Sequence, residues 1–406
     1  MIKIKKKYNI IEYITLFAII YLSSSFVGIA MNGTINLTLT IMITIISFLL
    51  NIKKIKFSTK MWLLILILIT LTLISVLLNQ DNLYDYIIFL IPLICGFIIS
   101  NIIEPKLFIK YYDNILYFLS IFSIITFLII NIVPNLLNYF PITINQSGIV
   151  MKNLFFSVVY NNSYFNSNYG LFWEPGAYQI FVNIALFFQL FLFKTINKKR
   201  VAIYILTIVT TFSTTGYFGL FFLIIIYFLS NNNLGKKRIK NILYIFIFLF
   251  ISYFIVKNLS ENIYFKVFGK LEALFNSSLL TNNQSFISTN IRVNSLKIPL
   301  DAFLSNPLFG ISFTKLNKLS LVYGQSMLTA TPLNWFGLFG LPGGIIFIIL
   351  NWNWVKNIEK KWYIKILLLL FLLFIVVTEN FNRNAFYFLF LFIGMKDKIK
   401  RGIDYE

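Results

Sequence analysis

One acidic residue, Glu174, lies in the segment NYGLFWEPGAYQIFVNIALFF (Asn168–Phe188), directly before a long apolar run. A carboxylate in such a position can act as a general base toward a hydroxyl group. The chain contains no histidine, which removes the commonest general base. Glu174 is therefore the leading candidate for that role. The alternative is that Glu174 only complements the dipole of a helix that begins at Pro175.

Two of the five arginines lie apart from the lysine-rich clusters of the chain. Arg292 lies in STNIRVNSLKIPLDAFLSNPLFGIS, and Arg383 lies in VVTENFNRNAFYF. A guanidinium binds phosphate through two parallel hydrogen bonds and does not lose its charge. Both residues are therefore candidate ligands of an anionic substrate. The alternative is a local ion pair, for example between Arg383 and Glu379 four residues before it.

Three neighbours of Glu174 are of the types that line sugar sites, namely Trp173, Tyr178 and Gln179. A metal site has little support, because the chain has one cysteine and no histidine. Neither a P-loop nor a glycine-rich dinucleotide motif occurs, so the sequence supports no nucleotide chemistry and predicts no cofactor.

The composition indicates the class of protein that must position these residues. Hydrophobic residues make up 58% of the 406 residues, and the mean hydropathy is +0.81, which exceeds what the core of a soluble protein requires. The net charge of +21 comes from short clusters between apolar runs, which argues against a nucleic-acid partner. The run Ile10–Ala30 is too long for a signal peptide and predicts a first membrane helix. We therefore predict an all-α polytopic membrane protein.

Apolar runs of about 20 residues and the excess of lysine and arginine in short cytoplasmic loops predict about twelve transmembrane helices, with both termini in the cytoplasm. The segment 200–231 has basic clusters at both ends and is predicted to form a short hairpin with an outer tip at Ser213–Gly216. One long helix is the alternative. The predicted spans are roughly 9–29, 35–52, 61–79, 84–102, 112–133, 176–194, 200–214, 216–231, 241–258, 331–354, 363–379 and 383–396.

This topology leaves two large outer loops, where functional sites concentrate. The regions are a five-helix membrane region (1–133), an outer loop (134–175), a central membrane region with the hairpin (176–258), a large outer loop with amphipathic helices (259–330), and a three-helix membrane region with a cytoplasmic tail (331–406).

Four motifs in order resemble a known family. They are GLFWEPGAYQ, TFSTTGY at the hairpin tip, Arg292 with NPLFGIS, and NWFGLFGLPGGIIFIIL, together covering about Asn168 to Ile348. This order resembles the O-antigen and capsule repeat-unit polymerases (Wzy-type), which belong with the O-antigen ligases to one superfamily of membrane glycosyltransferases. The resemblance implies a glycosyltransferase C-like membrane fold.

The resemblance also implies a metal-independent, inverting transfer at the outer leaflet of the bacterial cytoplasmic membrane. A growing glycan on undecaprenyl pyrophosphate would be the donor, and a lipid-linked repeat unit would be the acceptor. Glu174 would orient or deprotonate the acceptor hydroxyl, Arg292 would bind the pyrophosphate, and Arg383 would be a second phosphate contact. Many relatives have an arginine at the hairpin tip, where this chain offers the hydroxyls of Thr214, Thr215 and Tyr217. A chain-length regulator and a flippase would be partners.

Three other functions remain open. O-antigen ligases rely on an outer-loop histidine, and this chain has none. A lipid-linked oligosaccharide transporter would show pseudo-symmetric halves, and no internal repeat is found. A structural scaffold would leave the two separate arginines unexplained.

Overall fold

A computed structural model describes residues 9–55, 57–145, 148–160, 167–230, 284–324 and 328–396, together with Ile403. Helices dominate the described chain. The predicted span 241–258 and the amphipathic segment 264–275 lie outside the described residues. The helices are α1 (Ile10–Ser24), α2 (Phe26–Ala30), α3 (Gly33–Asn51), α4 (Thr59–Asn79), α5 (Leu83–Ile102), α6 (Pro105–Ile132), α7 (Pro175–Phe191), α8 (Lys198–Thr210), α9 (Thr214–Ser230), α10 (Gln284–Ser305), α11 (Phe313–Val322), α12 (Thr331–Lys356), α13 (Trp362–Ile375) and α14 (Ala385–Gly394).

Five of these helices, α3, α4, α5, α6 and α12, are long and apolar enough to cross a membrane. Five shorter apolar helices accompany them, namely α1, α7, α9, α13 and α14. This agrees with the predicted all-helical membrane protein. Helix α6 begins at Pro105, earlier than the predicted start at 112, because Lys106 and Lys110 are compatible with a helix although they resemble a basic loop.

Helix α7 lies at the centre of the described fold, since every residue from Gly176 to Phe191 is buried. It packs against α6, α8 and α9. Aromatic rings surround its first half, where Phe181 lies 4.4 Å from Phe172 and 5.0 Å from Phe386, measured between ring centroids. A helix that is apolar all round is expected in such a position. The residue that precedes it, Glu174, is therefore fixed to the core of the molecule.

The predicted loop 134–175 contains a small antiparallel sheet that the sequence analysis missed. Its strands are β1 (Ile142–Ile144), β2 (Val150–Asn153) and β3 (Val158–Tyr160), in the order β1-β2-β3. Strands of three or four residues are too short for a clear alternating pattern, which is why the sequence did not predict them. The sheet is joined to the segment before Glu174, because the N–H of Val158 donates to the carbonyl of Gly170.

The predicted first span, 9–29, is interrupted at Ser25. This residue is extended (φ −85°, ψ 156°), and its Oγ accepts a hydrogen bond from the N–H of Gly28 at 2.9 Å. Its neighbour Phe26 donates its N–H to the carbonyl of Leu171, and Ser25 pairs with Phe172 as an isolated β-bridge. The break therefore exposes backbone groups that bind the segment leading to Glu174.

Helix α12 is also interrupted, at Gly340 (φ 63°, ψ −157°), two residues before the Pro-Gly-Gly motif. The segment 306–312, NPLFGIS, inserts at this break. The N–H of Ile311 donates to the carbonyl of Gly337, and the N–H of Leu341 donates to the carbonyl of Pro307. A Cβ at Gly340 would lie 2.4 Å from the carbonyl carbon of Leu308, so only glycine permits this approach. Since α10 leads directly into NPLFGIS, these hydrogen bonds to α12 also position α10.

The predicted hairpin region 200–231 forms two helices, α8 and α9, and not one long helix. The chain turns at Thr211–Ser213, where Phe212 adopts a left-handed conformation (φ 51°). The predicted tip, Ser213–Gly216, lies slightly later in the chain, and Thr214–Gly216 form the first turn of α9. The two helices pack against each other and against α7.

Candidate functional site

Glu174 is the residue that precedes the first turn of α7, as the WEPG motif predicts. Its backbone is extended (φ −155°, ψ 159°), and Pro175 occupies the first helical position. The carboxyl group makes no capping hydrogen bond to the helix. Its charge still lies at the start of α7, so the alternative that Glu174 complements the helix dipole stays open. The half-buried carboxyl group faces another acid instead.

That second acid is Glu379, in the turn between α13 and α14 and outside both helices. Its side chain is 2% exposed. The two carboxyl groups converge on Gly176, where an added Cβ would lie 2.8 Å from Oε1 of Glu379 and 3.4 Å from Oε1 of Glu174. The two side chains are within hydrogen-bonding range of each other. We call Glu174 and Glu379 the carboxyl pair.

Two groups fix the position of Glu379. The indole Nε1–H of Trp173 donates to Oε2 of Glu379 at 3.1 Å. The hydroxyl of Thr331, the first residue of α12, donates to the backbone carbonyl of Glu379 and accepts the N–H of Phe381 at 2.8 Å. In the described part of the chain, no N–H or O–H group donates to Oε1 of Glu379. The Glu174 carboxyl group is therefore the only partner of Oε1 of Glu379 among the described residues.

The electrostatic environment of Glu379 opposes its ionisation. Burial and the adjacent Glu174 carboxyl raise the pKa of Glu379 well above that of an ordinary glutamate. The charge of Arg292 and the hydrogen bond from Trp173 lower it by less. Arg292 is thus close enough to act on the carboxyl pair through its charge. Glu174, proposed from the sequence, therefore contacts an acid that was not proposed, and the charge of Arg292 acts on that same acid.

The packing of α10 explains how Arg292 reaches this place. Three residues after Arg292, the Oγ of Ser295 accepts the N–H of Thr329, which lies two residues before α12. Further along, Gly337 of α12 packs against Pro299, where an added Cβ would lie 3.1 Å from the Pro299 carbonyl oxygen. The end of α10 that contains Arg292 therefore lies near Thr331, the residue that binds Glu379.

The tip of the hairpin formed by α8 and α9 packs against α7 at Gln179, about one turn after the start of α7. Gln179 and Asn183 are both fully buried, and Nδ2 of Asn183 donates to Oε1 of Gln179 at 2.8 Å. Gly216 lies against the Gln179 side chain, which places Thr214 and Thr215, both buried, beside that residue. Within the described residues, Nε2 of Gln179 and Oδ1 of Asn183 have no hydrogen-bond partner. The hydroxyl of Tyr217 is not directed at Gln179 but donates to the carbonyl of Val209 at 2.7 Å.

Tyr178 lies on a different side of α7 from Gln179. It is fully buried, its hydroxyl forms a 2.9 Å hydrogen bond with Oγ of Ser123, and its ring stacks on Phe172 at 5.1 Å. A Cβ at Gly170 would lie 2.7 Å from the same ring. These contacts favour a packing role for Tyr178 and leave it no surface for a substrate.

Arg383 forms an ion pair, but not with Glu379. Its Nη2 lies 2.7 Å from Oδ1 of Asp85, and its guanidinium lies over the ring of Phe313 at 5.4 Å. The suggested pair between Arg383 and Glu379 is therefore wrong, because Glu379 turns inward to Trp173 and Glu174. The Arg383 side chain is 40% exposed, so it remains accessible to a ligand.

Sequence reasoning missed Glu379 because it considered this acid only as a partner of Arg383. The available signal was an acid in the polar segment TENFNRN between two apolar runs. Its contact with Trp173 depends on tertiary packing and has no local signature. In the part of the chain that the structure describes, no group of three or more His, Cys, Asp or Glu residues is arranged to hold a metal ion.

The arrangement can take up and release a proton at the carboxyl pair and can attract an anion to Arg292. Acid–base chemistry next to a bound anion is what the transfer of a group from a phosphate-linked donor requires. No protein-family model and no curated protein matches this chain.

Proposed function

We propose that this protein is a membrane glycosyltransferase that polymerises undecaprenyl-pyrophosphate-linked oligosaccharide repeat units. The observation that supports this most directly is the contact of Glu174 with Glu379, an acid on which the charge of Arg292 also acts. A base for a hydroxyl and a cation for a pyrophosphate are the two groups that such a transfer needs. The motif order from Asn168 to Ile348, which resembles the repeat-unit polymerases, supports the same reaction.

In the proposed reaction, Glu174 takes the proton from the acceptor hydroxyl while the oxygen attacks the anomeric carbon of the donor glycan. The new carbon–oxygen bond forms as the bond to the pyrophosphate breaks, and the lipid pyrophosphate leaves with the electron pair. Arg292 neutralises the charge that develops on the leaving group. Attack from the face opposite the leaving group inverts the anomeric configuration. The reaction needs no metal ion.

The proposal includes a location and partners. We place the site at the outer face of the bacterial cytoplasmic membrane, in a chain of about twelve spans with cytoplasmic termini and a glycosyltransferase C-like fold. The basic clusters between apolar runs support this orientation. The product would be O-antigen, capsule or exopolysaccharide. A flippase would supply the lipid-linked units, and a chain-length regulator would act with the polymerase.

One observation also suits a second function. A buried carboxyl pair that exchanges a proton is what a proton-coupled transporter of lipid-linked oligosaccharides would use. The two functions differ in their products, because a transporter moves the units unchanged whereas a polymerase links them. A ligase-like transferase would instead place a glycan once on a different acceptor.

The test is to reconstitute the purified protein in vesicles with lipid-linked repeat units and to analyse the glycans. The proposal predicts a ladder of polymers from the wild-type protein and none from Glu174→Gln. A ladder from Glu174→Gln equal to that of the wild type would remove the base role. Units that cross the bilayer unchanged would establish transport in place of polymerisation. A single addition to a separate lipid acceptor would establish ligation.

A further inference from the structure

Glu379 has no role in the reaction as proposed so far, yet it lies at the centre of the candidate site. It is the more enclosed of the two acids, at 2% exposed, whereas Glu174 is half-buried at the start of α7. Its Oε2 accepts the Trp173 indole N–H, and its Oε1 faces Glu174 with no donor among the described residues. Two ionised carboxylates at this separation would repel each other strongly.

We infer that Glu174 and Glu379 hold one proton between them, that Glu379 carries it, and that neutral Glu379 is a positioning residue that donates a hydrogen bond to ionised Glu174. This inference rests on the proposed function only for its consequence in the reaction. The proton assignment follows from the geometry of the pair. When Glu379 is protonated, its Oε1–H can donate a hydrogen bond to Glu174. An ionised Glu379 has no proton to donate, and its Oε1 would have no partner among the described residues.

The position of each acid decides which of them is charged. Glu174 lies before the first turn of α7, where the free N–H groups of the helix stabilise a negative charge. Glu379 lies in a turn that is enclosed by Trp173, Phe381 and Thr331. Removing a charge from water is costly, so the proton stays on the more buried carboxyl group.

The count of charges leads to the same assignment. Among the described residues, the charge of Arg292 from α10 acts on Glu379, and the charge of Glu174 acts on Tyr169. Burial and Glu174 raise the pKa of Tyr169, so its hydroxyl stays neutral at physiological pH. One ionised carboxylate balances Arg292. Ionisation of Glu379 would add an uncompensated negative charge where an anionic donor must bind.

In the transfer itself, the proton of the acceptor hydroxyl passes to the Glu174 carboxylate, and Glu379 keeps its own proton. Neutral Glu379 therefore donates a fixed hydrogen bond to Glu174 and adds no second negative charge to the site. When the pH is high enough to ionise Glu379, the pyrophosphate is repelled and the KM for the donor rises. A residue with a merely structural role would not produce that change in KM.

The matching variant is Glu379→Gln, which keeps a neutral hydrogen-bond donor at every pH. We expect its kcat/KM near neutral pH to stay within about threefold of the wild-type value, because the amide replaces the protonated acid. We also expect the alkaline rise in KM that the wild type shows to disappear. Glu12→Gln is the control, since it removes a buried acid on α1 outside the site and should retain the alkaline rise.

A folded Glu379→Gln protein with no activity would overturn the inference, because Glu379 would then have to ionise during the reaction. An alkaline rise in KM that persists in this variant would overturn it as well. Either result can be recorded only if the wild type polymerises, so failure of the proposed function is recognised separately by the absence of a ladder.

Infrared spectroscopy tests the proton assignment without any activity. The wild-type protein at neutral pH should show the C=O stretching band of a protonated carboxylic acid, and Glu379→Gln should lack that component. Glu12→Gln should retain it. If the spectrum of Glu379→Gln equals that of the wild type, the proton is not on Glu379. A wild-type protein that shows the band but forms no polymer would refute the proposed function and leave the assignment intact.

Discussion

The indole N–H of Trp173 donates a 3.1 Å hydrogen bond to Oε2 of Glu379, and the two residues are 206 positions apart in the sequence. The bond joins the segment before α7 to the turn between α13 and α14. Because Glu379 also contacts Glu174, this interaction helps Thr331 to hold Glu379 in position beside Glu174.

Replacing Trp173 by Phe should lower the activity without abolishing it. The ring is kept but the donor is lost, so Oε2 of Glu379 loses its partner at a cost of about 1 kcal/mol. We expect kcat/KM for polymerisation to fall roughly fivefold, which corresponds to that free energy. Trp362→Phe is the control, because Trp362 is 73% exposed at the start of α13. Equal activity of the two variants would mean that the bond does not position Glu379.

Arg292→Lys keeps the charge and loses the planar fork of the guanidinium. If Arg292 binds the pyrophosphate through two hydrogen bonds, the variant should lose about 1.5–3 kcal/mol of binding, or roughly 10- to 100-fold in kcat/KM. Lys297→Gln removes an exposed charge from the same helix and should have little effect. Polymer length and rate in reconstituted vesicles give the comparison. Wild-type polymer from Arg292→Lys would rule out the phosphate role.

Gly176→Ala places a methyl group between the two carboxyl groups. The added Cβ would lie 2.8 Å from Oε1 of Glu379, so one of the acids must move. We expect a loss of stability of about 1–3 kcal/mol together with a marked loss of activity. Gly33→Ala, at the first position of α3 with no atom within 4 Å of the added Cβ, should be neutral in both thermal unfolding and polymerisation. A Gly176→Ala protein that behaves like it would contradict the close approach.

The roles of Arg383 and Asp85 can be distinguished by comparing one single variant of each residue. Their exposed ion pair should contribute at most about 1 kcal/mol to stability. If Arg383 only pairs with Asp85, then Arg383→Gln and Asp85→Asn should have the same small effect on activity. If Arg383 also binds phosphate, Arg383→Gln should raise the donor KM while Asp85→Asn leaves it unchanged. The donor KM of each variant, measured in the same vesicles, decides between these roles.

The stability of the protein should depend on pH through Glu379. Folding raises the pKa of this group, so the folded state binds the proton more tightly than the unfolded chain does. The resulting stabilisation is complete below the pKa of an ordinary glutamate, about 4.3, and is lost as the pH rises through the folded value. Within that window the free energy of unfolding should fall by about 1.4 kcal/mol per pH unit. Glu379→Gln should lack this slope in unfolding measurements from pH 4 upward, and Glu12→Gln should retain it.

Local sequence patterns were sufficient for several helices and for the position of Glu174 at a helix start. Continuous apolar runs predicted the helices α3, α4, α5 and α12 to within about two residues, and Pro175 marked the start of α7 correctly. Glu174 was recognisable because an acid before a buried helix is costly unless it is used. Its role as a base was proposed from residue types alone and stays a prediction.

The features that were missed depend on contacts between distant segments. Ser25 interrupts an apolar run because its backbone binds Leu171 and Phe172, and no residue near Ser25 indicates this. Glu379 was assigned to Arg383 because the two are close in sequence, whereas burial favours its contacts with Trp173 and Glu174. Tyr178 was proposed as a residue that lines a sugar site, but it is buried and stacked on Phe172. In each case, packing overrode a local pattern.

The separation of Trp173 and Glu379 along the chain also means that the two residues are synthesised at different times. At about 5–20 residues per second, the ribosome needs roughly 10 to 40 s to reach Glu379 after it has made Trp173. During that interval Glu174 is already part of the nascent chain, and the helix of Arg292 is completed before Glu379 is added. The carboxyl pair can therefore form only after synthesis has passed Glu379, and shorter nascent chains lack it.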